Sequence, residues 1–180
     1  MHARELTLEA AKQLIDNINV RIKLNFNGLF DLLKEKNIPL KFVEFKINAV
    51  GVATFDCIYI NINYIHRIDI IYFVLLHEMA HFRRISKRGF QWYLDNFINN
   101  TLENFNELII NEEIIADRYA DIIGGILNKG YSEFHSYNQK LTNQENVEKY
   151  KEVIEGLFNT IPDNYEDYVK FIHENIVYVK

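Results

Sequence analysis

Ile70-Ile71-Tyr72-Phe73-Val74-Leu75-Leu76-His77-Glu78-Met79-Ala80-His81 is the stretch on which the reading of this chain turns. Seven apolar residues in succession lead into the pattern H-E-x-x-H. On a helix that advances about 100° per residue, His77 and His81 lie about 40° apart and one turn from each other, so both imidazoles can reach one ion at about 2.0 to 2.1 Å. Glu78 stands about 60° from His81, within reach of a water beside the ion without ligating it. The flanks are apolar nearly all round, which buries this helix, and two histidines and a glutamate in a buried helix require partners. A metal ion supplies them, and the spacing suits a zinc hydrolase.

A catalytic Zn2+ takes a third protein ligand and keeps its fourth position open. A third histidine six residues after His81 would fall on Lys87, and no histidine occurs between His81 and His135. The next strongly periodic segment carries Asn111-Glu112-Glu113-Ile114-Ile115-Ala116-Asp117-Arg118-Tyr119-Ala120. Glu113 and Asp117 are four apart and share a helix face. Glu113 is the expected metal ligand, because a carboxylate one turn on, Asp117, can accept a hydrogen bond from the outer nitrogen of a ligating histidine and fix its tautomer. Glu112 would have Ala116 in that place. Glu112 and His135 are the rivals for the ligand role.

Working outward, Leu14, Ile15, Ile18 and Ile22, then Leu29, Phe30, Leu32 and Leu33, keep helical spacing, so Leu6 to Lys36 reads as one broken helix or two consecutive ones ending before Pro39. Val43, Phe45 and Ile47, and then Ile58, Ile60 and Ile62, alternate with polar or aromatic residues, with Ala49-Val50-Gly51 as a turn region between them. This predicts a small antiparallel sheet of two or three strands ahead of the motif helix. That helix is expected to be capped by Asp69 and to run to about Ile85. Further helical stretches cover Phe90 to Ile98 and Leu102 to Leu127, weakened at Gly124-Gly125, and capping-box spacings at Thr142/Glu145 and Asp163/Glu166 start two more near Asn143 and Asn164. The fold class is α+β, mostly helical, in one domain over residues 1–180.

Composition narrows the setting. With 48% hydrophobic and 14% aromatic residues among 180, the chain has the apolar content of a folded domain, not of a disordered one. Twenty basic against 25 acidic residues give a net charge of −5, so nucleic acid is not an expected partner. The single cysteine, Cys57, forms no intramolecular bridge, and Met1-His2-Ala3-Arg4-Glu5 opens no secretory signal. No apolar run approaches the roughly 20 residues that span a bilayer. A cytoplasmic location is expected, or the inside of a phage particle were the protein virion-borne.

His77-Glu78-x-x-His81 followed by Glu113-x-x-Ala116-Asp117-x-Tyr119-Ala120 resembles the gluzincin pattern H-E-x-x-H then E-x-x-A-[N/D]-x-[F/Y]-A, and most closely the small soluble metallopeptidases of the ImmA/IrrE type. The resemblance covers roughly Val52 to Leu127. It departs at Asp117, where that subgroup usually has Asn, and in the apolar run after Ala120, which continues as Ile122-Ile123-Gly124-Gly125-Ile126-Leu127 and lacks the family's Met-Pro ending. It implies a zincin-like fold and zinc-dependent hydrolysis of peptide bonds in an intracellular protein or peptide substrate. His77, His81 and Glu113 would then hold Zn2+, and Glu78 would act as the general base. Ile58 to Asn63, as a sheet edge, could hold substrate as an added strand. His135, Tyr131, Tyr137, Tyr119 and His66 are the candidates for an oxyanion donor. The competing reading is a structural or interaction protein that keeps the metallopeptidase fold with little or no proteolysis, as in a virion or a toxin-antitoxin pair.

Overall fold

A computed structural model describes residues 5–97, 102–128 and 164–178. The Leu6 to Lys36 region divides into a short strand β1 (Glu5–Leu6) and two helices, α1 (Leu8–Asn19) and α2 (Phe26–Glu35). The division is local chemistry. Thr7 caps α1 by accepting from Ala10 N–H at 3.2 Å, and Asn25 caps α2 by accepting from Gly28 N–H at 2.9 Å. Between them the Asn19 side chain bonds both the N–H and the C=O of Leu24, at 2.9 and 2.7 Å, so the break carries its own backbone partners. Asn37, with φ of 53°, turns the chain out of α2 toward Pro39.

Strands β2 (Leu40–Val43), β3 (Gly51–Ala53) and β4 (Ile58–Asn61) complete a four-stranded sheet in the order β1-β2-β4-β3. The sheet is mixed, which corrects the antiparallel expectation: β2 and β4 run parallel in the register Leu40↔Ile58 to Val43↔Asn61, while β1–β2 and β3–β4 are antiparallel. The cause is β3, which forms where a turn region is expected. The chain leaves β2, skips one position to lay down β3 at the edge, then reverses through Thr54-Phe55-Asp56-Cys57 and inserts β4 between the two. Thr54 holds this reversal, its N–H donating to Cys57 C=O at 2.9 Å and its hydroxyl to Asp56 Oδ1 at 2.6 Å. Hence β4 is not an edge, as the added-strand expectation requires; β3 is.

Every residue of β4 is buried, with Ile58 and Ile60 on one face and Tyr59 on the other. Ile58 and Ile60 join the main core with Phe42, Ile15, Leu29 and the apolar run of the motif helix. Tyr59 joins Val43, Phe45 and Cys57 under a C-terminal helix through Tyr168, Phe171 and Ile172. The sheet is therefore covered on both faces.

After a 3₁₀ turn at Ile62–Tyr64 comes the motif helix α3 (Ile68–Arg88), one turn longer than expected; it starts after Arg67 with no side-chain cap, and Asp69 lies in its first turn. Gly89, at φ of 91°, takes the chain out of it into α4 (Phe90–Phe97). Helix α5 (Leu102–Leu127) passes through Gly124-Gly125 without interruption. Helix α6 (Tyr165–Asn175) starts after Asn164, whose side chain accepts from Asp167 N–H at 2.9 Å. The helix expected near Asn143 lies outside the described residues. Among the described residues no helix is long and apolar enough to cross a membrane.

Candidate metal centre

Helices α3 and α5 are the principal helix pair of the fold, and the candidate residues meet between them. They run antiparallel: contacts advance from His77–Asp117 through His81–Glu113 to Arg84 and Arg88 with Glu112. Ala116 and Ala120, both fully buried, let the backbones approach closely enough for short polar side chains to meet across the seam.

His77 Nε2 and His81 Nε2 lie 2.9 Å apart, and Glu113 sets one carboxylate oxygen 3.1 Å from each. Behind this group, His77 Nδ1 is 2.8 Å from Asp117 Oδ1. With the Nδ1 proton donated to Asp117, a neutral His77 turns its Nε2 lone pair toward His81 and Glu113. Among the described residues His77, His81 and Glu113 form the group of potential ligands whose donor atoms lie within 4.8 Å of one another.

The electrostatics are those of a cation receptor. Burial works against a charged His77, but the carboxylates of Asp117 and Glu113 outweigh it and push the metal-free imidazole up to about 10. Burial would likewise raise Glu113, yet the His81 and His77 rings hold it well below the ordinary carboxylate range. The donor set fits a zinc ion. One ligand atom from each of the three residues lies within 4.8 Å of the other two, and the His77–His81 Nε2 separation of 2.9 Å is slightly contracted from the ~3.3 to 3.4 Å edge of a tetrahedral shell with bonds of about 2.0 to 2.1 Å.

Glu78 does not join this group. Its Oε2 accepts from Ala53 N–H on β3 at 2.7 Å, so the carboxylate stands between the motif helix and the sheet edge. Glu112 faces elsewhere: although only 6% exposed, it is enclosed by the Arg84 fork at 2.5 and 2.6 Å and by Arg88 at 3.1 Å. The arginines hold it below the ordinary carboxylate range against the opposing effect of burial. Arg84 and Arg88 are the residues that motif reading misses. Their signal is positional, since they continue the His77 and His81 stripe by seven and eleven residues from His77.

Of the oxyanion candidates, Tyr119 is engaged, its hydroxyl accepting from Arg83 at 3.3 Å. His66 lies on the link ahead of α3. Tyr131, His135 and Tyr137 lie outside the described residues, as does any role of His135 as a ligand. His173, on α6, meets the Tyr59 hydroxyl at 3.2 Å. No family model, no curated protein and no solved structure matches the chain.

Proposed function

We propose that the protein is a zinc-dependent peptidase with a zincin-like arrangement of motif helix, ligand helix and sheet edge. The observation that supports this most is the convergence of two imidazole Nε2 atoms and the Glu113 carboxylate, with Asp117 orienting His77 from behind. His77, His81 and Glu113 would hold the ion. A bound Zn2+ supplies Lewis-acid polarisation of the scissile carbonyl and acidification of water.

The chain's own residues supply the rest. Ala53 N–H holds the Glu78 side chain in place by donating to Oε2. Glu78 takes a proton from the attacking water and passes it to the leaving amine nitrogen. The edge of β3 offers the substrate a backbone. Thr54 N–H and Val50 C=O point inward to β4, so by alternation the backbone groups of Gly51 and Ala53 point away from it; Ala53 N–H is taken by Glu78, which leaves Gly51 N–H and C=O and Ala53 C=O for a substrate strand. An extended peptide added there would lie beside Glu78.

Elemental analysis of protein prepared without chelator should find about one zinc per chain. Glu78→Gln should retain the zinc and the far-UV dichroism but lose hydrolysis of a mixed peptide library read by mass spectrometry, because the amide keeps the shape and removes the base. Absent zinc that added Zn2+ does not restore overturns the metal reading. Equal cleavage by wild type and Glu78→Gln removes Glu78 from the role, and bound zinc without cleavage by either favours a non-catalytic scaffold.

A further inference from the structure

We propose that Arg84, braced by Arg88, is a positioning residue that sets the rotation of α5 and thereby selects Glu113 over Glu112 to face the imidazole pair. The inference rests on the metal reading above. The two glutamates are adjacent and project about 100° apart, so a rotation of α5 by that amount would exchange them. Beside the glutamate pair apolar packing supplies little resistance to this: Ala116 and Ala120 line the seam with methyl groups alone, while Tyr119, Ile123 and Leu127 pack against the core toward the C-terminal end of the helix.

The guanidinium contacts are directional where the apolar ones are not. Arg84 engages both oxygens of Glu112 through Nε and Nη2, the planar two-point geometry that fixes orientation as well as distance. Arg88 adds a third contact to Oε1 and is itself stacked over the Trp92 ring, 4.2 Å from its centroid. A line of contacts thus runs from α4 through Arg88 to Glu112, and the next residue of α5 is Glu113. Arg84 lies three residues beyond His81, so one short piece of α3 carries both a nitrogen of the cluster and the group that orients its carboxylate.

The test measures Zn2+ affinity by chelator competition and the visible spectrum of Co2+-loaded protein, which reports ligand geometry, well below the unfolding temperature. Glu112→Leu removes the buried carboxylate and leaves two arginines whose side chains are partly exposed to water, and Arg84→Lys keeps a charge but not the fork. Glu112→Leu is expected to weaken Zn2+ binding by about 10 to 100-fold and to alter the Co2+ spectrum, with Arg84→Lys between it and wild type. Val177→Ala, a buried truncation beneath α6, is expected to lower thermal stability while leaving affinity and spectrum unchanged, which separates positioning from general loosening. Wild-type affinity and spectrum in both Glu112→Leu and Arg84→Lys overturn the inference alone. A wild-type chain that binds neither ion overturns the metal reading and this inference with it.

Discussion

The imidazole of His77 is held from two directions, and the two contacts do different things. Glu113 lies on the Nε2 side, where an ion would sit, and Asp117 on the Nδ1 side, where it decides which nitrogen keeps the proton. Asp117→Asn keeps the volume but loses the anionic acceptor, so Zn2+ affinity should fall by about 10 to 100-fold, and Glu113→Ala should cost more because a donor atom disappears. Chelator competition on the two variants checks the order; an Asp117→Asn protein that binds as wild type would show that the tautomer is fixed by something else. The pairing of residues 113 and 117 was legible in the sequence because helical spacing fixes which neighbours share a face. The occupation of Glu112 was not, since the partner of a lone carboxylate depends on which face of a second helix arrives opposite it.

At the scale of elements, β3 lies close against α3. A methyl group built on Gly51 would come within 2.5 Å of Val74 Cγ1, 3.0 Å of Glu78 Cγ and 3.2 Å of Ile60 Cδ1. Val74 and Glu78 are one turn apart, so this glycine lets the sheet edge lie directly on the face of the motif helix that carries Glu78. Gly51→Ala should therefore lift β3 from α3, costing about 1 to 3 kcal/mol by overpacking and loosening the Ala53–Glu78 hydrogen bond. Urea unfolding would register the first effect and amide exchange at Ala53 the second; unchanged stability with unchanged protection would mean that the edge has room to spare. The helices α1, α2, α3 and α5 could be anticipated because periodicity accumulates over ten or more residues, and α6 because a capping-box spacing marks its start. Strand β3 could not, because three residues are too few for alternation to show, and without it the inserted order of β4 and the parallel β2–β4 pairing have no visible source.

Helix α6 closes the molecule by covering the second face of the sheet. Lys46 reaches the C-terminal carbonyls of the helix at His173 and Glu174, Phe45 bridges to Val177, and Tyr59 meets His173, so residues distant in sequence seal β4 on its outer side. Alternation in Ile58 to Asn63 reads as one buried and one open face, and only the packing of a segment more than 100 residues later turns Tyr59 inward; no local pattern contains that information. The burial has a measurable consequence at alkaline pH. Removal from water pushes the Cys57 thiol from 9.0 up to about 12, and it pushes the Tyr72 hydroxyl from 10.0 up to about 12. Because the folded pKa values lie above the unfolded ones, the folded state retains protons that the unfolded chain releases: the stabilisation is complete below about pH 9 and is lost as pH rises toward 12. The urea midpoint should accordingly fall steadily between pH 9 and 11. Tyr59, Tyr93 and Tyr168 are pushed up by burial as well, so Cys57→Ala removes one of several such groups and should reduce the slope by up to one proton's equivalent, about 1.4 kcal/mol per pH unit, even though the truncation lowers stability at neutral pH. Identical slopes in the two proteins would mean that the thiol ionises in the folded state at its ordinary pKa, and that α6 does not seal this face of the sheet from water.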